Sequence, residues 1–223
     1  MTGDDMDSEG GVSGALRIGE MAPNFSARSS QGEISLSDYR GKWVMLVSHP
    51  GDFTPVCTSE FVALAKRVGD FEARDCEVIA LSVDSLFSHL AWIRAIFERT
   101  GTKIEFPIIE DPTLTVAKAY GMVAANSQDA ATVRATFFID PSGLIRASTY
   151  YPATVGRSVE EMIRILTALQ KTDADGVLTP EGWTQGGDVL NPPKQSTAGI
   201  FEEGQSDWFY KYTQGETAPE KKA

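Results

Sequence analysis

Cysteine and histidine are scarce in this chain, with two of each among 223 residues. No Cys-x-x-Cys pair occurs, and the four residues lie too far apart for the close ligand spacings of a zinc site. No metal and no cofactor are therefore expected. Nor does any apolar run approach the ~20 residues needed to cross a bilayer, so no membrane contact is expected. Positive charge is in deficit. Twenty Lys and Arg stand against 31 Asp and Glu, leaving −11, and nucleic-acid phosphates would be repelled by such a surface. The first residues (Asp4, Asp5, Asp7, Glu9, Gly10, Gly11) have neither the basic start nor the apolar stretch of a secretory signal. A cytoplasmic location is the expectation, and there a structural disulfide between Cys57 and Cys76 is not expected.

What the chain does have is a regular alternation of apolar runs and helical periodicity. Residues 1–15 are small and acidic and are expected to form a disordered tail. Ile34 to Leu36 alternates as a short strand. Trp43 to Val47 is a buried strand, and Glu77 to Val83 is a nearly continuous apolar run of the kind covered on both faces. Between them a helical pattern starts at Thr54 and ends near Gly69-Asp70. Asp84-Ser85 can cap a helix carrying Leu86, Leu90, Ile93 and Phe97 at helical spacing. Phe106 to Ile109 reads as another strand, followed by a short helix through Val116 and Tyr120. Val133 to Ile139 and Ile145 to Tyr151 flank the turn Asp140-Pro141-Ser142-Gly143 as an antiparallel hairpin. A helix over Ser158 to Leu169 turns Val159, Met162, Ile163, Ile165 and Leu166 inward.

That order predicts an α/β fold, with a thioredoxin-like mixed sheet and helices on both faces. Its core spans residues 16–171. From residue 172 to 223 Gly and Pro punctuate a loop-rich C-terminal extension. The aromatic residues there (Trp183, Phe201, Trp208, Phe209, Tyr210, Tyr212) are too many for a solvated tail, and the extension is expected to dock on the same subunit or a partner.

The most informative stretch is Ser48 to Phe61. Thr54 suits an N-cap and Pro55 the first helical position, where its missing N–H has no intrahelical partner to lose. Cys57 then falls in the first turn, where unpaired N–H groups and the positive helix end favour a thiolate. A lone cysteine is more commonly a small buried hydrophobe, which is the reading given to Cys76 at the head of an apolar strand. Thr54, three residues before Cys57, lies on the same side of the helix start and can place its hydroxyl near the sulfur or near a bound oxygen atom.

The run His49 to Glu60 resembles the peroxidatic-cysteine motif of peroxiredoxins, Pro-x-x-x-Thr-x-x-Cys, at Pro50, Thr54 and Cys57. Cys76 to Trp92, Phe106 to Asp111, Val133 to Asp140, Tyr151 to Arg157 and Asp188 to Pro193 are similar to the same family in the same order. The resemblance covers roughly residues 16 to 212 and leans to the one-cysteine subfamily with an extended C-terminal domain. It implies a thiol peroxidase serving antioxidant defence and cell redox homeostasis. Cys57 would attack hydrogen peroxide or an alkyl hydroperoxide and pass through a sulfenic acid. Thr54 and Arg134 would complete the catalytic set. Pro50 would shield the sulfur, and His49, Glu60 and Arg157 would act in support. A family member is expected to form a homodimer or a ring of dimers.

Two departures refine the resemblance. Relatives with a long C-terminal domain often carry a cysteine in the segment matching Asp207 to Tyr212, and Trp208-Phe209-Tyr210-Lys211-Tyr212 contains none. A one-cysteine cycle follows, with an external thiol reductant of the thioredoxin, glutaredoxin or glutathione kind. The Gly-x-Ser-x-Gly lipase motif of some relatives is replaced here by Tyr39-Arg40-Gly41-Lys42-Trp43, so no phospholipase activity is expected. Two other readings compete. A dithiol–disulfide oxidoreductase would need a sulfur where Thr54 stands. A holdase chaperone would use the aromatic C-terminal surface.

Overall fold

A computed structural model describes residues 16–123, 130–201 and 207–215. The described residues form two compact units, one ending at Arg157 and the other beginning at Ser158. The first unit is an α/β layer around a seven-stranded mixed sheet in the order β2-β1-β5-β4-β3-β6-β7. One of its inner strands is β3 (Trp43–Ser48), buried at every position. It runs parallel to β4 (Cys76–Ser82), and β4 runs parallel to β5 (Ile108–Glu110). On the other side β3 pairs antiparallel with β6 (Arg134–Ile139), which continues by hairpin into β7 (Ile145–Tyr151). Strands enclosed in this way need no polar face, which explains the unbroken apolar runs. The hairpin turn is fixed by Asp140, whose Oδ1 accepts from the N–H groups of Ser142 and Leu144, with Gly143 at φ 89°.

The far edge is polar. β1 (Ser26–Ser29) pairs antiparallel with β2 (Gly32–Ser35). The sequence Ser-Ala-Arg-Ser has no apolar alternation, so β1 left no pattern to read. Helices begin and end near their sequence signals. Ser85 caps α3 (Leu86–Thr100) through its hydroxyl, which accepts from the Ser88 N–H, and Gly101 closes it in the left-handed region. Two expectations need correction. The helix from Thr54 is broken: α1 spans Pro55–Ala65 and α2 spans Val68–Glu72, with Arg67 at φ −120° between them. The inward face of α3 is His89, Trp92 and Ile96, whereas Leu90 and Phe97 are exposed. A short helix, α4 (Thr115–Ala119), follows β5.

In the second unit α5 (Val159–Asp175) buries Met162, Ile163 and Leu166. It runs six residues beyond Leu169 because its stop signal is Gly176, left-handed at φ 64°. Val159 and Ile165 are half-buried. Arg164 Nη1 donates to the carbonyl of Trp183, tying the helix to the segment after it. A two-stranded ribbon of β8 (Val189–Leu190) and β9 (Tyr212–Thr213) follows, with α6 (Thr197–Ile200) between its strands. Trp183 is buried, with its indole N–H on the Gly187 carbonyl. Phe201, Phe209, Tyr210 and Tyr212 are exposed.

Candidate active site

Loops beyond the carboxyl ends of parallel strands are where open α/β sheets bind ligands, and α1 leaves the carboxyl end of β3. Thr54 occupies the N-cap position in an extended conformation, with Pro55 at the first helical position and Cys57 in the first turn. The Thr54 side chain does not cap, however. Its hydroxyl donates to the Gly51 carbonyl at 2.8 Å, closing the turn that precedes the helix. The orphan N–H groups of the first turn are thereby left free of a side-chain acceptor, and such groups suit an oxyanion.

Because β6 runs antiparallel to β3, its first residue lies beside the last residues of β3 (Val47 opposes Thr136). That register brings Arg134, 77 residues away in sequence, to Cys57. Arg134 Nη1 stands 3.3 Å from Cys57 Sγ and 2.8 Å from Glu60 Oε2. Its Nε and Nη2 both donate to the Ala153 carbonyl, which fixes the plane of the guanidinium. Glu60 lies one helical turn beyond Cys57 and is gripped from the other side by Arg157. Arg157 donates from its backbone N–H and Nε to Oε1 and from Nη2 to Oε2, while its Nη1 reaches the Ala135 carbonyl and the Thr136 hydroxyl. Burial would raise the Glu60 carboxyl, but the bonds from Arg157 and the charge of Arg134 outweigh it and hold the group below its ordinary value. Cys57, Glu60 and Arg134 are all buried. Two guanidiniums against one carboxylate leave one surplus positive charge, and Cys57 Sγ is the atom beside it.

His49 is placed elsewhere. Its Nε2 meets Asp52 Oδ1 at 3.0 Å, and the other oxygen of Asp52 meets His89 Nδ1 at 2.8 Å. Burial would raise the Asp52 carboxyl, but the bonds to the two imidazoles win and push it far below the usual carboxylate range, so both imidazoles donate. Burial keeps the proton affinity of His49 low. The donor atoms of His49, Asp52 and His89 lie within 4.8 Å of one another, close enough to share a cation. Both carboxylate oxygens are already used by the imidazole N–H groups, which account for the geometry on their own. Asp52 and His89 were invisible to spacing arguments. The only signal was that His89, Trp92 and Ile96 share a helical stripe. Pro50 is half-buried in the turn. Cys76 is buried at the start of β4, opposite Trp43.

A thiol at a helix start, a guanidinium 3.3 Å from the sulfur and free backbone N–H groups beside it define a thiol peroxidase site on a thioredoxin fold. Residues 18–148 match the AhpC/TSA family and residues 168–203 the C-terminal domain of 1-Cys peroxiredoxin. The chain belongs to the peroxiredoxins, thiol-dependent peroxidases, in the branch with the one-cysteine C-terminal domain. A peroxiredoxin 2 of Caldanaerobacter subterraneus subsp. tengcongensis is 46% identical over 203 residues, covering 88% of this chain and 92% of the relative. A peroxiredoxin of Thermoplasma volcanium is 45% identical over 199 residues, covering 87% and 97%. Among solved structures, the yeast mitochondrial 1-Cys peroxiredoxin, described for thiol resolution via glutathione/thioredoxin systems, superposes with a TM-score of 0.80 at 39% identity, covering 90% of this chain and 100% of that one. A cysteine-to-serine mutant of the peroxiredoxin 6 of Arenicola marina gives 0.81 at 32% identity, covering 92% and 100%.

Proposed function

We propose that Cys57 is the peroxidatic nucleophile and that Arg134 supplies the charge its reaction needs. The thiolate attacks the nearer peroxide oxygen and the O–O bond breaks. The departing oxygen takes a proton and leaves as water or alcohol, and Cys57 becomes a sulfenic acid. The observation that carries this reading is the 3.3 Å contact of Arg134 Nη1 with Cys57 Sγ, made by a guanidinium whose other two nitrogens are fixed by the Ala153 carbonyl and whose Nη1 is also held by Glu60. Glu60 and Arg157 hold Arg134 in place. Thr54, at the helix start, faces the incoming peroxide. An apolar groove of about 650 Å³ beside Thr54, lined by Phe53, Pro55, Val62, Trp92 and Ile96, suits the organic part of an alkyl hydroperoxide.

Regeneration falls to an external thiol of the glutathione, glutaredoxin or thioredoxin kind. It displaces water from the sulfenic acid to give a mixed disulfide, and a second thiol releases Cys57 reduced. Both cysteines are free, which suits a reducing compartment such as the cytoplasm. The exposed aromatic cluster of Phe209, Tyr210 and Tyr212 supports a homodimer docked through the C-terminal unit. Thiol titration and peptide mass spectrometry after one equivalent of hydrogen peroxide test the cycle. One of the two thiols should be lost, with one added oxygen on Cys57, and glutathione or reduced thioredoxin should restore it. A Cys57–Cys76 disulfide, or oxygen on Cys76, would overturn the one-cysteine scheme.

A further inference from the structure

The turn that delivers Thr54 and Cys57 is strained. Phe53, immediately before Thr54, sits in the left-handed region at φ 57° and is 59% exposed. Such a conformation strains a bulky side chain and persists only where its surroundings dictate it. A residue so exposed makes little of the packing that could hold it. The residues just before it are fixed by bonds on every side. The Asp52 N–H donates to Asp84 Oδ2 at 2.9 Å, and Asp84 is itself held by the Ser82 hydroxyl. The His49 carbonyl accepts from Thr132 Oγ1 at 2.7 Å, and the His49 N–H donates to the Leu81 carbonyl. The Asp52 carboxylate, 1% exposed, is clasped between His49 on its own turn and His89 on α3.

The other ring nitrogens, Nδ1 of His49 and Nε2 of His89, have no hydrogen-bond partner although both are buried. A histidine that leaves one nitrogen orphaned in the interior is poorly explained as a core filler, since an apolar side chain would carry no such cost. What His89 alone contributes is an N–H aimed at Asp52. It links the rigid start of α3 to the turn ahead of the reactive sulfur.

We infer that Asp52 and His89 are positioning residues of the peroxidase reaction. Their bond holds the strained turn at Phe53 and so sets where Thr54 stands relative to Cys57, with the contact of Arg134 on the sulfur left in place. The inference rests on Cys57 being the peroxide-reactive thiol. In-line attack is sensitive to placement, and an ångström of misalignment costs on the order of a hundredfold in rate.

The test compares His89→Asn with His89→Gln. Asn carries its amide nitrogen at the same number of bonds from the backbone as Nδ1, so it can still donate to Asp52, whereas Gln carries its nitrogen at the place of Nε2. Stopped-flow oxidation of Cys57 by hydrogen peroxide is measured beside iodoacetamide alkylation of the same thiol, which needs no in-line alignment with Thr54. His89→Gln should slow oxidation by about tenfold or more, with His89→Asn within about threefold of wild type and alkylation of both within about threefold, the margins a misplaced attacking group predicts. Oxidation at the wild-type rate in His89→Gln, equal slowing in His89→Asn, or alkylation slowed in parallel would each overturn the inference. If the His89 variants do not fold, Asp52→Asn, nearly isosteric but uncharged, should slow oxidation by about tenfold, and a wild-type rate would overturn it. Wild type and Cys57→Ser run alongside. Peroxide consumption that is absent in wild type, or undiminished in Cys57→Ser, would count against the peroxidase reading itself.

Discussion

The two thiols of this protein are buried to nearly the same degree, 0% exposed at Cys57 and 2% at Cys76, yet they stand in opposite chemical settings. Cys57 lies in the first turn of a helix with a guanidinium on its sulfur. Cys76 opens a central strand between Asp75 and Glu77, and its sulfur faces the Glu77 carbonyl oxygen 3.8 Å away. Burial pushes the Cys76 thiol up to about 12, and the carboxylates of Glu77 and Asp75 push in the same direction. Depth alone therefore does not distinguish the two. What separates the two sulfurs is the sign of the charge facing each one and whether the backbone around it offers N–H groups or is already paired in a sheet.

The largest test of that contrast is to remove each sulfur in turn. Cys57→Ser should abolish turnover of hydrogen peroxide with a thiol reductant, and Cys76→Ala should leave kcat/KM within about twofold of wild type, since a buried apolar substitution away from the reacting atoms acts on stability alone. A second test keeps both sulfurs and strips the charge from one. Arg134→Ala should lower the rate constant for Cys57 oxidation by about 10²–10³, the usual loss when one fixed donor is taken from a reacting oxygen or sulfur. Alkylation of Cys57 at neutral pH should slow as well. An unchanged alkylation rate would mean that the guanidinium acts on the peroxide alone.

How much of this could be read from the chain differs between the two halves of the site. The helix start was legible because its signals are local: Pro55 at the first helical position, Cys57 within a turn of it, an apolar strand just upstream. The break at Arg67 and the true inward face of α3 were not, since Leu90 and Phe97 fit a helical stripe as well as His89, Trp92 and Ile96 do, and only the sheet decides which stripe is covered. Arg134 and Arg157 were found by resemblance, because no periodicity tells which of 20 basic residues an antiparallel pairing will carry back to β3. His49 was expected in a supporting hydrogen-bond role, and its partner, Asp52, could not be named from the sequence, since a short polar turn has several acceptors within reach. Strand β1, paired between β2 and β5, was missed for a related reason: its sequence Ser-Ala-Arg-Ser carries no apolar alternation to read.

The smallest expected effect sharpens the comparison from the side of Cys76. Cys76 ionises near the ordinary value of 9.0 in the unfolded chain but only near about 12 in the fold. Above pH 9 the unfolded chain therefore loses a proton that the native protein keeps. A group whose folded value is raised contributes its full stability below the unfolded value and loses it as pH climbs toward the folded one. Between about pH 8 and about pH 10 the wild type should lose about 1.4 kcal/mol from this residue, and Cys76→Ala should lose none of it. Tyr120, Tyr150 and Tyr39 are raised by burial as well and steepen the alkaline limb of both proteins alike. The informative quantity is thus the difference between the two urea midpoints, which should narrow from about pH 8 to about pH 10. If it stays constant, Cys76 is ionising in the fold as readily as outside it, and the carboxylates and the sheet around it are not what keeps it silent.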